Sequence, residues 1–348
     1  MTGRHPVEYN LIAFGLRDWG ASMRAMGWIA AAVVVGGGAV GCMEAPDDGG
    51  EVTARTGSST TCPAWRCGFN SAEVNGRAIR ELNLDGQANA DGVRIVGFVA
   101  PAGILGSYSL DYDGDELVAR APGGATLRGA QLIGATILVK PPGLLALPVP
   151  ITILGYEAID AWASGAPKVP TYALVYPDVK SLLGVRNVCT GDLLNALASA
   201  VTVLGGETYD LETKAVQPGR TRWLTLACAG SAAAKLRLMN YGPHADFDGE
   251  GHPPSVAQRQ ATLRMITADY CGGGHSYTKN GTPLAWENAG GTVVSGGPTG
   301  AVEAVWSSSG ALCLGAPRLG DVSVACSLPT CTDYTLGDGE WITYTVPN

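Results

Sequence analysis

The sequence predicts an α+β fold: mainly antiparallel β with two or three short helices in the C-terminal half, stapled by disulfides. Three observations lead there. The chain of 348 residues carries 49 Gly and 21 Pro, a composition that favours many turns and short strands over long helices. Its hydrophobic fraction of 46%, against 16% charged, is ample for a packed core. Nine cysteines are spread along it, at positions 42, 62, 67, 189, 228, 271, 313, 326 and 331. The formal net charge of -8 leaves no basic stripe to neutralise phosphates, so nucleic acid is not an expected partner.

Residues 1–41 read as a signal peptide. From Met23, Arg24 supplies the positive start, Trp28 to Val35 is apolar, and small residues from Gly36 to Gly41 lead to Cys42. The apolar run is shorter than the roughly 20 residues needed to cross a bilayer as a helix. Ala39-Val40-Gly41-Cys42 resembles the lipobox of bacterial lipoproteins, although Leu is usual where this chain has Ala39. The resemblance implies acylation of the Cys42 thiol and of the new amino terminus, more than the single chain that gives only reversible attachment. Met1 to Ser22 precede this signal without a recognisable pattern, so Met23 is the expected start.

Residues 42–72 are expected to form a flexible tether, rich in Gly, Ser and Thr, with a local clip between Cys62 and Cys67. Residues 73–180 read as a β-rich N-terminal part. Val93–Val99 is a strand, and Tyr108–Leu110 with Leu117–Ala119 form a hairpin whose turn carboxylates, Asp111, Asp113 and Asp115, are expected to be solvated. The five-residue rhythm of Leu127, Leu132 and Ile137 reads as a strand pair, followed by strands at Ile151–Leu154 and Tyr172–Tyr176.

Residues 181–322 change character. Leu193–Ser199 suits a short helix and Trp223–Cys228 a strand. Ser231 can cap a helix to Met239, and a second helix is expected from Val256 to Tyr270, stopped by Gly272-Gly273-Gly274. Asn280-Gly281 predicts a hairpin between Tyr277–Lys279 and Thr282–Leu284. Residues 323–348 are expected to be a tail.

With Cys42 set aside, eight cysteines remain, an even number suited to a disulfide framework in an exported chain. Eight cysteines allow 105 connectivities, which sequence does not distinguish; proximity suggests Cys62 with Cys67 and Cys326 with Cys331, and nearest-neighbour pairing favours Cys189 with Cys228 and Cys271 with Cys313. Thiolate zinc is the competing reading, but zinc sites generally use tighter CxxC pairs.

Thr267-Ala268-Asp269-Tyr270-Cys271-Gly272, with His275, Thr278 and Asn280-Gly281-Thr282 downstream, resembles the ADYC domain, a module of bacterial extracytoplasmic proteins with no characterised activity. Leu226–Ser231, the Tyr241-Gly242-Pro243 turn, Arg264-Met265, Glu303–Trp306 and Gly310–Cys313 are similar to further landmarks of that family. The resemblance covers roughly Tyr172 to Arg318. Family members commonly have Cys where this chain has Leu236 and Thr262, and Trp where it has His244. It implies a fold and an address, and no catalytic residue.

Chemistry must therefore be argued from residue types. Asp269 at a helix end is expected to accept hydrogen bonds from the loop between Gly272 and Thr278; the alternative makes it a general base beside His275. No nucleophile motif completes such a set. His244, Asp246, Asp248 and His252 form the densest ligand-like run, suited to calcium by its carboxylates or zinc by its histidines, and equally an acidic surface loop. No cofactor is expected. The sequence thus points to a lipoprotein of the bacterial cell envelope, on the outer membrane, that is a non-enzymatic binding or structural module with a protein or polysaccharide partner. The alternative is a hydrolase using Asp269 and His275, or a metal at His244–His252.

Overall fold

The computed structural model describes residues 54–56, 71–181, 183–189, 200–279, 282–295, 300–320 and 322–346. The expected Cys62–Cys67 clip, the Leu193–Ser199 helix, the signal segment and Cys42 lie outside them. Among the described residues no helix is long and apolar enough to cross a membrane.

An eight-stranded antiparallel sheet organises the molecule. Its order is Glu81–Asn83, Trp223–Cys228, Val201–Gly205, Val169–Pro177, Val149–Ile159, Thr136–Lys140 and Arg94–Val99, with Val185–Asn187 also paired to Val169–Pro177. Both faces are covered around Val201–Gly205, which is buried throughout, and Trp223–Cys228, which is buried from Leu224 on. Side chains alternate between two cores with the strand period of two: Val203, Leu226 and Cys228 face one, Leu204 and Ala227 the other.

The first core is closed by a three-stranded sheet of Ser109–Asp113, Glu116–Arg120 and Thr126–Arg128, which contributes Leu110, Leu117 and Leu127. The Leu117 amide donates to the Tyr172 hydroxyl at 3.1 Å and pins this sheet to the larger one. The five-residue rhythm is not a strand pair. Its first unit joins the small sheet, Gly129–Leu132 makes a 3-10 turn, and Thr136–Lys140 joins the large sheet. Leu127, Leu132 and Ile137 all point into one core, which is the origin of the rhythm.

The second core lies between the large sheet, two helices and a six-stranded sheet. Helix α1, Ala232–Leu238, starts at Ser231, whose hydroxyl accepts from the Ala234 amide at 3.1 Å. Helix α2, Val256–Thr267, starts with a capping box of Ser255 and Gln258. It ends three residues before the expected Tyr270, because Ala268 adopts a left-handed backbone with φ 50.

The six-stranded sheet runs Ala54–Thr56, Thr282–Asn288, Trp341–Thr345, Val302–Ser307 and Gly310–Leu314, with Val294–Ser295 beside Thr282–Asn288. Three expectations change here. Ala54–Thr56, within the expected tether, pairs in parallel with Thr282–Leu284, whose free edge offers unpaired backbone groups. Among the described residues the expected hairpin is not formed: Tyr277–Lys279 is not a strand, and the strand that begins at Thr282 pairs with Trp341–Thr345. The expected tail instead supplies Trp341–Thr345, hydrogen-bonded on both sides.

Three disulfides join described cysteines. Cys189–Cys228 is as expected, whereas the other pairs are Cys271–Cys326 and Cys313–Cys331. The reason is the path of the C-terminal segment. The Leu314 amide donates to the Pro329 carbonyl, so residues 329–331 run beside the strand holding Cys313, while Cys326 reaches the loop after α2.

Candidate functional site

The segment Ala268-Asp269-Tyr270-Cys271 closes α2, and each residue has a distinct structural task. The Asp269 amide donates to the Arg264 carbonyl at 2.9 Å and the Ala268 amide to the Met265 carbonyl at 3.2 Å, the pair of bonds of a Schellman motif. Helix α1 ends the same way at Asn240, φ 63, with Tyr241 donating to the Leu236 carbonyl. Asn suits that left-handed position. Ala does not, and Ala268 is held there by complete burial.

Asp269 therefore lies just beyond the helix, not in its last turn. Its carboxylate is fully buried, pairs with the Arg264 guanidinium and accepts from the Gly274 amide at 2.7 Å. The same guanidinium donates to the Thr213 carbonyl at 2.7 Å. The carboxylate so binds the motif loop to the helix, and Arg264 binds both to the chain at Thr213. Close approach enforces glycine in this loop: a Cβ on Gly274 would meet the Glu212 carbonyl oxygen at 2.0 Å.

Tyr270 is buried and stacks on Trp306, with ring centroids 5.2 Å apart. Its hydroxyl donates to Glu303 Oε1 at 2.5 Å and accepts from the Arg318 amide at 2.7 Å. Burial, reinforced by the Glu303 charge, pushes the phenol far above its ordinary range. Arg318 completes the cluster, pairing with Glu303 at 3.0 Å while donating to the Met265 and Ile266 carbonyls at the C-terminus of α2. Cys271 fixes the following loop to Cys326.

His275 stands apart from Asp269. It is exposed and packs edge-on against Tyr277 at 4.5 Å, and no hydrogen bond joins it to the Asp269 carboxylate among the described residues. The two residues considered as an acid–base pair are thus not assembled into one.

The His244–His252 run is split as well. His244 turns from the loop, and its Nδ1 lies 3.1 Å from Asp115 Oδ1. Asp246 accepts from the Gly251 amide at 2.8 Å, within the loop's own turn. Asp248 and His252 pair at 2.7 Å, and with Glu250 they form the one group of convergent ligand atoms among the described residues, all exposed.

Asp115, expected to be solvated, is buried. It accepts from the Gly205 amide at 3.1 Å and lies 3.5 Å from Arg237 Nε. The hydrogen bond to Asp115 holds the His244 imidazole above its ordinary pKa. A half-exposed imidazole oriented by a buried carboxylate is an arrangement used by general bases. Here, among the described residues, no hydroxyl or thiol donates to it. No sequence signal pairs these two residues, because 129 positions separate them.

Thr262 is buried and accepts the Trp341 indole N–H at 2.8 Å, so its position serves the junction of α2 with the six-stranded sheet.

These features define a disulfide-stapled α+β module whose signature tetrapeptide forms the closed end of a helix. The family model of the ADYC domain matches residues 129–320. The chain belongs to the ADYC domain family. The match begins well before residue 181 and takes in six of the eight strands of the large sheet as well as both helices. No curated protein and no solved structure matches the chain.

Proposed function

We propose that this protein is an extracytoplasmic lipoprotein, anchored through acylated Cys42, that acts as a non-enzymatic surface module for a protein or polysaccharide partner. The observation that carries the reading is the internal engagement of the family motif. Asp269, Tyr270 and Cys271 are committed to an ion pair, a buried hydrogen-bond cluster and a disulfide. A motif so engaged serves to hold a shape, and shape is what a binding module presents. Three disulfides support an oxidising compartment, since such bonds persist mainly outside the cytoplasm. The lipobox-like segment supports the anchor.

One set of preparations tests this. Wild-type protein is expected in the membrane fraction with acyl chains on Cys42, and cross-linking of intact membranes is expected to recover one specific partner. A Cys42→Ser protein should lose the acyl chains. The reading fails if a broad hydrolase screen finds an activity that His275→Ala abolishes in folded protein, or if repeated cross-linking recovers no partner.

A further inference from the structure

The edge of the large sheet carries a feature that the fold does not use. Residues 141–148 connect Thr136–Lys140 to Val149–Ile159 and read Pro-Pro-Gly-Leu-Leu-Ala-Leu-Pro. The Ala146 amide donates to the Gly143 carbonyl, a tight turn that puts Leu144 and Leu145 at its tip. Leu144, Leu145 and Leu147 are 95%, 91% and 81% exposed. Three neighbouring leucines left in water on a stiff, proline-bounded loop lose the burial that places leucine inside proteins, so the loop is shaped for an apolar contact outside the chain.

The charges beside it say what that contact is. Arg94 and Lys140 are direct cross-strand partners, an opposition of like charges that strand pairing disfavours. Among the described residues neither has an ion pair, although the chain as a whole carries a net charge of -8. Together with Pro141, Pro142 and Gly143 they line an open cleft of about 310 Å³, and no carboxylate lies in its wall. Two uncompensated cations at the base of an apolar loop match the layered chemistry of a lipid surface, with phosphate outside and acyl chains within.

We propose that loop 141–148 seats the folded body on a membrane, with Leu144, Leu145 and Leu147 entering the acyl boundary and Arg94 and Lys140 holding the phosphate of an anionic lipid. This deepens the anchored reading, because it gives the tethered body a second contact and a fixed orientation. Local rules of burial and charge pairing are broken at the same few residues, which is expected where a surface is built for a partner.

The test uses the full-length protein in vesicles. Leu145→Trp is mixed with vesicles of phosphatidylglycerol and phosphatidylcholine whose acyl chains carry bromine, and quenching is read against the wild-type tryptophan background. Leu105→Trp is the control. It is equally exposed but lies past Val99, at the other end of the Arg94–Val99 and Thr136–Lys140 pair. The expected result is strong quenching for Leu145→Trp and none for Leu105→Trp, unaffected by added inorganic phosphate. Adding Arg94→Glu and Lys140→Glu should raise the lipid concentration for half-maximal quenching on the order of tenfold or more. Equal quenching of the two introduced indoles overturns the proposal. So does quenching as strong on phosphatidylcholine alone, competition by phosphate, or burial of the indole of Leu145→Trp by self-association. The mass of acyl chains on Cys42 reports the anchor separately, so failure of the anchored reading is not confused with failure of the loop.

Discussion

At Asp269 a fully buried carboxylate meets a guanidinium that is itself nearly buried, and the role of the motif follows from that. Removing one partner of a buried ion pair leaves the other charge uncompensated, typically a loss of about 3–5 kcal/mol. Asp269→Ala is therefore expected to lower the unfolding free energy by about that amount in a denaturant titration, while His275→Ala, at an exposed position, changes it by less than about 0.5 kcal/mol. An equal effect of the two would contradict the assignment. His244 gives a pH signature. Its pKa is raised in the folded protein by Asp115, so the protonated form favours folding. That contribution is complete below the ordinary histidine range and is lost as pH rises through the folded value. Because the His244 side chain is 41% exposed, solvent screening limits the effect to a few tenths of a kcal/mol, up to about 1. Stability measured across neutral pH should fall slightly in wild type, and His244→Gln should flatten that slope.

Among the elements, those governed by neighbours in sequence are readable and those governed by distant partners are not. Ser231 announces its helix because a cap acts within three residues, and the short apolar run Trp223–Cys228 announces a strand. The end of α2 is hidden because Gly272-Gly273-Gly274 is the visible stop signal, whereas Ala268 takes the left-handed position under pressure from tertiary packing. Disulfide partners are hidden for a related reason. Cys326 and Cys331 are neighbours in sequence, yet the segment between them passes from the motif loop to the Gly310–Leu314 strand and delivers each sulfur to a different place. Chain entropy then ranks the two bridges. Cys271–Cys326 spans 55 residues and Cys313–Cys331 spans 18. Replacing both cysteines of a bridge by serine is expected to destabilise by about 4 kcal/mol for the first and about 3 for the second. Thermal or denaturant unfolding of the two double variants checks the order, and peptide mapping without reduction checks the pairing.

Over the whole molecule, composition is enough for the fold class, since abundant Gly and Pro with a 46% hydrophobic fraction leave few alternatives to short strands around a core. The candidate site is legible only in part. The motif tetrapeptide stands out, but Glu303 and Arg318, which give Tyr270 its surroundings, come from 33 and 48 residues downstream, and nothing local marks them as its partners. Asp115 is hidden in the same way beneath its distant contacts with Gly205 and His244. Strand order is the least legible quantity of all, because main-chain pairing is nearly indifferent to side chains. The central place of Trp341–Thr345 between Thr282–Asn288 and Val302–Ser307 has a bearing on how the chain matures. A polypeptide made from its N-terminus cannot zip those flanking strands together as soon as both exist, since the piece that belongs between them follows both in the chain. This sheet must wait for Trp341–Thr345 to emerge, and until then its two flanking strands have nothing to pair across.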